Sequence, residues 1–140
     1  MIKKRLIFFS ILFFLSNNLY GKSEYFDGGV DLFNKQKFKD GRFKFEQDIV
    51  FNPKSEQSYL YLSKIYNKLE KKNLEEQNLN TVILLNPKNE EAIFHLAKLK
   101  LSESDYKKSR EFNKRLKLIC TNFCNKSDKL KFEIENLSKK

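Results

Sequence analysis

The sequence predicts an all-α chain, built from three helix-turn-helix repeats and one closing helix. Asn52-Pro53 and Asn86-Pro87 lie 34 residues apart. Apolar and small positions around them recur at the same interval: Tyr25 with Tyr59, Gly28 with Leu62, Gly29 with Ser63, Leu32 with Tyr66, and Phe45 with Leu79. A third copy follows from Glu90, with Ile93, Leu96, Ala97, Tyr106, Ser109 and Leu116, and has Thr121 where the proline stood. Self-similarity at such a period marks structural units that bury their apolar faces on one another.

The first helix is expected over residues 25–34, with a turn at 35–37 and a partner helix from Phe38 or Lys39 to Phe51. Asn52-Pro53 ends that helix, because the residue before a proline is pushed out of helical geometry. Ser55 is placed to cap the next helix, which carries Tyr59, Leu62, Ile65, Tyr66 and Leu69. The helix after it holds Leu74, Leu79, Val82, Ile83 and Leu85 and stops at Asn86-Pro87. Asn89 followed by Glu90 and Glu91 reads as a helix start, with both acids at the positive end of the helix dipole. That helix continues through Phe94, Leu96, Leu99 and Leu101; residues 102–105 turn the chain, and 106–119 form its partner. Ser127-Asp128 then opens a last helix with Leu130, Ile134 and Leu137 on one face. Such a stripe suits a cap over the exposed end of an array, and a partner-binding helix is the competing reading.

Over residues 22–123 this pattern resembles the tetratricopeptide repeat (TPR) family, with repeats at 22–55, 56–89 and 90–123 and a capping helix at 124–140. The resemblance implies a right-handed superhelix, in which the first helices of successive repeats line a concave groove for a peptide or helix of a protein partner. There are departures. Glu75 stands where the other repeats have the small Gly41 and Ser109, Asp48 replaces a further small residue, and Lys100 replaces an aromatic. In the turn of repeat two Lys72 replaces Phe38 and Tyr106, with Leu74 the nearby residue to fill the place.

By repeat position, the implied groove presents Phe26, Val30, Phe33, Tyr61 and Phe94, with Lys64, Lys68, Lys98 and His95 among them. Apolar anchors among positive charges suit an amphipathic segment with an acidic flank. The other role open to Phe26, Phe33 and Phe94 is core packing, or cover by the N-terminal segment. One subgroup of the family grips a partner's C-terminal carboxylates with Lys, Asn and Arg. The corresponding positions here are Phe26, Val30, Tyr61, Glu91 and His95, and none carries the required residue.

Residues 1–21 have a different character. Lys3, Lys4 and Arg5 precede an apolar run from Leu6 to Leu15, and polar Ser16-Asn17-Asn18 follows, the layout of a secretory signal. The run is shorter than the ~20 residues a membrane-spanning helix needs. Cleavage fits after Gly21, or after Ser23; retention as an uncleaved anchor is the alternative. With a Lys-, Asn- and Phe-rich composition this points to a bacterial protein exported to the periplasm or cell envelope, held at the inner membrane if the leader stays. Net charge is +10, and +7 without the leader's three basic residues. A basic surface draws anionic proteins or lipid head groups, with nucleic acid the least available after export; lysines spread along every helix also fit solubility alone. Cys120 and Cys124, the only cysteines, form either a disulfide, which export permits, or two packed thiols. A bond at that spacing requires the helix to break near Thr121-Asn122.

Catalytic chemistry is missing from the pattern. His95 is the only histidine, so a multi-histidine metal site cannot form, and no Ser or Cys motif suggests a triad around it. Asp27-Gly28-Gly29 matches neither nucleotide-binding glycine fingerprint. No cofactor is implied. The expectation is a protein-binding scaffold rather than an enzyme, with a membrane-anchored assembly or maintenance factor as the alternative and an enzyme as the remote third.

Overall fold

The structure, a computed structural model, describes residues 23–139, and the leader expected over residues 1–21 lies outside them. The described residues form seven helices and no strand: α1 (Glu24–Asn34), α2 (Phe38–Phe51), α3 (Glu56–Lys68), α4 (Lys72–Leu85), α5 (Glu90–Ser102), α6 (Tyr106–Ile119) and α7 (Cys124–Leu137). Each helix packs on the next in sequence, and the main further contacts join α5 to α7 and α1 to α3.

The turn inside each repeat is the same turn three times. Gln36, Glu70 and Ser104 take left-handed backbone, with φ of 58°, 57° and 60°. Each follows a helix end closed in the same way: the N–H groups of Lys37, Lys71 and Asp105 donate to the carbonyls of Leu32, Tyr66 and Lys100, all at 2.9 Å. This closure satisfies carbonyls that a helix end would otherwise leave without a partner. Between repeats a second closure recurs, from the N–H groups of Asn52, Asn86 and Cys120 to the carbonyls of Asp48, Val82 and Leu116.

Proline follows that closure in the first two repeats but not in the third, and the structure gives the reason. Glu90 accepts from Thr121 N–H at 2.8 Å, Thr121 Oγ1 at 2.7 Å, Asn122 N–H at 3.0 Å and Phe123 N–H at 2.8 Å. A proline at 121 has no N–H to donate. Glu56, one repeat earlier, plays a related part by accepting from the side chains of Asn86 and Asn89. Cys120 is extended and bonded to Cys124 with their Cα atoms 5.3 Å apart, and the chain bends over residues 121–123.

The last helix therefore begins at Cys124, earlier than the Ser127-Asp128 signal suggests. Ser127 is buried inside it, where its hydroxyl donates to Asn113 Oδ1 at 2.9 Å and its carbonyl accepts from Asn113 Nδ2 at 3.0 Å. Asn89, at the expected helix start, accepts from Ala92 N–H at 2.8 Å, and Asp105 caps α6 by accepting from Lys108 N–H at 3.0 Å. Ser55 makes no capping bond; its hydroxyl donates to Ser58 Oγ at 2.9 Å, and Ser58 in turn donates to Asp48.

The core is a series of three apolar clusters. Phe26, Phe45, Leu62, Ile65 and Tyr66 join α1, α2 and α3. Leu60, Leu79, Val82, Ala92 and Leu96 join α3, α4 and α5. Ala97, Leu101, Leu130 and Ile134 join α5 and α7, so α7 covers repeat three as α3 and α5 cover the repeats before them. Gly29 is required by close helix approach: a Cβ there would lie 2.8 Å from the Phe45 ring.

The departures from the repeat pattern are internal polar contacts. Asp48 is buried and accepts from Ser23, the cap of α1, and from Ser58 of α3. Lys100, also buried, reaches Glu76 of α4 at 2.7 Å and Glu103 at 2.9 Å. Burial alone would lower the Lys100 pKa, but hydrogen bonds to those carboxylates outweigh it and raise the value. Leu74 does not fill the turn of repeat two, since it is 36% exposed; Lys72 instead donates to Ser102 O at 3.3 Å.

Candidate functional site

The residues expected to line a groove fall on α1, α3 and α5, and the structure divides them into three groups. Phe26, Val30, Phe33 and Tyr61 form an aromatic block over the first core cluster. Phe26 is only 6% exposed and meets Phe45 and Tyr61 edge-on, each at 5.7 Å. Tyr61 stacks on Phe45 at 4.9 Å, and Phe33 meets Tyr61 edge-on at 5.2 Å. Phe26 is floor, while Phe33 and Tyr61 are half-buried above it.

The charged residues form the second group, and most are paired. Lys64 lies over the Tyr61 ring at 4.9 Å and reaches Glu91 at 2.8 Å. His95 Nε2 approaches the same Glu91 oxygen at 3.7 Å. The polar approach of His95, then the Lys64 ammonium at 2.8 Å and the charges of both, outweigh partial burial and hold the Glu91 carboxyl at about 2. Lys98 approaches Glu133 of α7 at 3.7 Å. Lys68 is exposed and shows no ion pair among the described residues. Phe94 stands apart as the third group, against Phe123 at 5.6 Å and His95 at 5.6 Å, with Lys126 above it.

Between these groups opens a cleft of about 210 Å³, lined by Phe33, Ser63, Lys64, Asn67, Lys68, Glu75 and His95. Ser63, Asn67 and Glu75 were not among the groove residues read from the sequence. Asn67 shares a helix face with Ser63 and Lys64, so helical spacing alone could have found it. Glu75 was visible as a misplaced large acid, without any sign that it reached this cleft. A second cleft of about 270 Å³ lies between α6 and α7, where Lys117 pairs with Asp128 at 2.7 Å. Among the described residues no His, Cys, Asp or Glu cluster could hold a metal ion, and no helix is long and apolar enough to cross a membrane.

No family model matches the chain, and no curated protein matches it. Solved structures do. The chain superposes on the first TPR of Spaghetti (RPAP3) bound to an HSP90 peptide, SRMEEVD, with a TM-score of 0.75 over 83% of this chain and 91% of that one, at 14% identity. The fold is that of tetratricopeptide repeats. A second TPR likeness is the TPR2B domain of yeast Sti1 in complex with pHsp70, with a TM-score of 0.75, 14% identity, and 82% and 99% of the two chains covered. The type III secretion chaperone SycD of Yersinia enterocolitica, in complex with a peptide of the translocator YopD, gives 0.76 at 14% identity over 89% of this chain and 100% of that chain. Within the TPR frame the cleft lies on the side of the first helices, with α1, α3 and α5 each contributing to its wall.

Proposed function

We propose that this chain is a non-enzymatic adaptor that holds a segment of a protein partner across α1, α3 and α5. The observation that carries this reading is the cleft on that face, walled by Phe33 of α1, by polar groups of α3 and α5, and by Glu75 of α4. It is the arrangement expected of a repeat fold that recognises extended or helical segments. Support comes also from the TPR-fold structures above, which were solved with peptides of HSP90 and of YopD. An acidic flank on the partner now rests on Lys68, since Lys64 and Lys98 already face Glu91 and Glu133.

The compartment in this proposal is the bacterial periplasm or cell envelope. It is supported by the basic and apolar leader of residues 1–21 and by the Cys120–Cys124 bond, which an oxidising compartment favours. Mass spectrometry of the native N-terminus separates free adaptor from anchored factor: a start near Lys22 supports the first, and Met1 the second.

The groove is tested by placing a photo-crosslinking residue at Lys68, on the cleft rim, or at Leu84, 81% exposed on α4. Irradiated native cells are expected to give a discrete protein adduct from position 68 and none from position 84. Equal adducts from both positions, or none from position 68, would overturn the assignment of the groove.

A further inference from the structure

Asp48 and Glu75 are the two buried acids of the described chain, and Asp48 has two hydroxyl donors where Glu75 has a single amide. Glu75 occupies the repeat position of Gly41 and Ser109, where a small residue lets paired helices approach. Its side chain is 4% exposed, and both carboxylate oxygens receive the same donor, Asn67 Nδ2, at 3.1 and 3.2 Å. No cation pairs with it among the described residues. The nearby cations are engaged elsewhere: Lys64 with Glu91 at 2.8 Å, Lys100 with Glu76 and Glu103, and Lys72 on the Ser102 carbonyl. Burial raises its pKa above the ordinary carboxyl value, and the Asn67 hydrogen bond, with the charges of His95 and Lys72 at longer range, only partly offsets this. A carboxylate has about four lone-pair sites, so one shared amide leaves most of its accepting capacity unused.

Glu75 is among the residues that line the cleft of about 210 Å³, together with Phe33 and His95. The volume is below the ~300 Å³ at which ligand pockets usually begin, and suits a single long side chain. Three kinds of side chain can be compared. An acidic one would meet the Glu75 charge, and an apolar one would seal a buried carboxylate away from any further donor, which is unfavourable. A cationic one supplies both charge and donors. Between the two natural cations, arginine brings a planar fork matched to a carboxylate and a flat face that can lie against the Phe33 ring.

We propose that this cleft is a specificity pocket for one arginine side chain of the bound partner segment, with Glu75 receiving its guanidinium and Phe33 flanking it. The assignment rests on the groove reading above and adds partner chemistry to it. Asn67 acts as a positioning residue, fixing the carboxylate plane from α3. Ser63, small at its repeat position, leaves room for the entering chain. Lys68 stays at the rim, where it favours an acidic neighbour of the arginine rather than the arginine itself.

The probe is N-acetyl-argininamide, with N-acetyl-citrullinamide as its neutral isostere, titrated into the full-length chain and followed by NMR. The reporters are the Asn67 side-chain amide and the His95 ring. Saturable shifts of both are expected with the arginine probe, with citrulline binding at least about tenfold weaker. Glu75→Gln is expected to reduce arginine to the citrulline level without lowering thermal stability at neutral pH, since a neutral amide is cheaper to bury than the charge it replaces. Glu75→Ser, copying Ser109, is the second variant should the glutamine disturb packing, and carries the same expectation. Equal binding of the two probes, absence of shifts, or an unchanged arginine response in the variants would overturn the pocket. If position 68 still crosslinks a partner in cells while those results hold, the groove stands and only the arginine assignment falls.

Discussion

Left-handed backbone is costly for residues with a Cβ, and this chain places Gln36, Glu70 and Ser104 there without a glycine among them. Gln36→Gly, Glu70→Gly and Ser104→Gly are each expected to stabilise the fold by about 0.5–1 kcal/mol, the relieved strain exceeding the added freedom of the unfolded chain. Urea denaturation of the three single variants measures it, and a loss of stability in all three would refute the turn geometry. Glu90 gives a prediction in pH. Hydrogen bonds from Thr121, then from the N–H groups of Phe123 and Asn122, lower its carboxyl from the ordinary 4.5 to about 2. A depressed folded pKa means the stabilisation is complete above the ordinary value and is lost as pH falls from there. Glu90→Gln should therefore be less stable at pH 7 and show a shallower acid slope between about pH 4.5 and 2 in thermal melts. If the variant and the parent chain lose stability in parallel over that window, the clasp carries no weight. At this scale the sequence showed Glu75, Asp48 and Lys100 as breaks in the pattern. It could not show their purpose, because their partners Asn67, Ser58 and Glu76 sit on other helices and no spacing rule connects them.

Helices were legible where a stop and a start coincide with apolar spacing, as at Asn52-Pro53 and at Asn89-Glu90-Glu91. The start of α7 was not, because Ser127 looks like a cap and is instead one half of a buried polar pair with Asn113. The covering role of α7 rests on Leu130 and Ile134, both nearly inaccessible against Ala97 and Leu101 of α5. Leu130→Ala is expected to destabilise the chain by about 2–5 kcal/mol, the range for truncating a buried leucine. Denaturant titration with an unchanged midpoint would mean that repeat three needs no cover. The Cys120–Cys124 bond ties the exit of α6 to the entry of α7 but closes only a short loop. Its stabilisation by chain entropy is accordingly at the low end, about 2 kcal/mol or less.

The fold of the whole molecule was readable because repetition makes the same statement three times, so a single irregular position does not erase it. The binding face was readable only as a set of positions. Its charge balance was hidden, since Glu91 and Glu133, which face Lys64 and Lys98, arrive from neighbouring elements. One contact has a consequence for how the repeats are ordered. Asp48 of repeat one meets Ser58 of repeat two, and the same two positions one repeat later are Val82 and Ala92. A chain that skipped repeat two, by slippage or by exchange with another copy, would press the Asp48 carboxylate against the Ala92 methyl, leaving it the Ser23 hydroxyl of its own repeat but none from its successor. The reverse mismatch would strand Ser58 on Val82. A buried acid that loses one of its two hydroxyl donors costs more than the native contact contributes. The two junctions are thus unlike keys, one polar and one apolar, and that difference favours the native order of repeats.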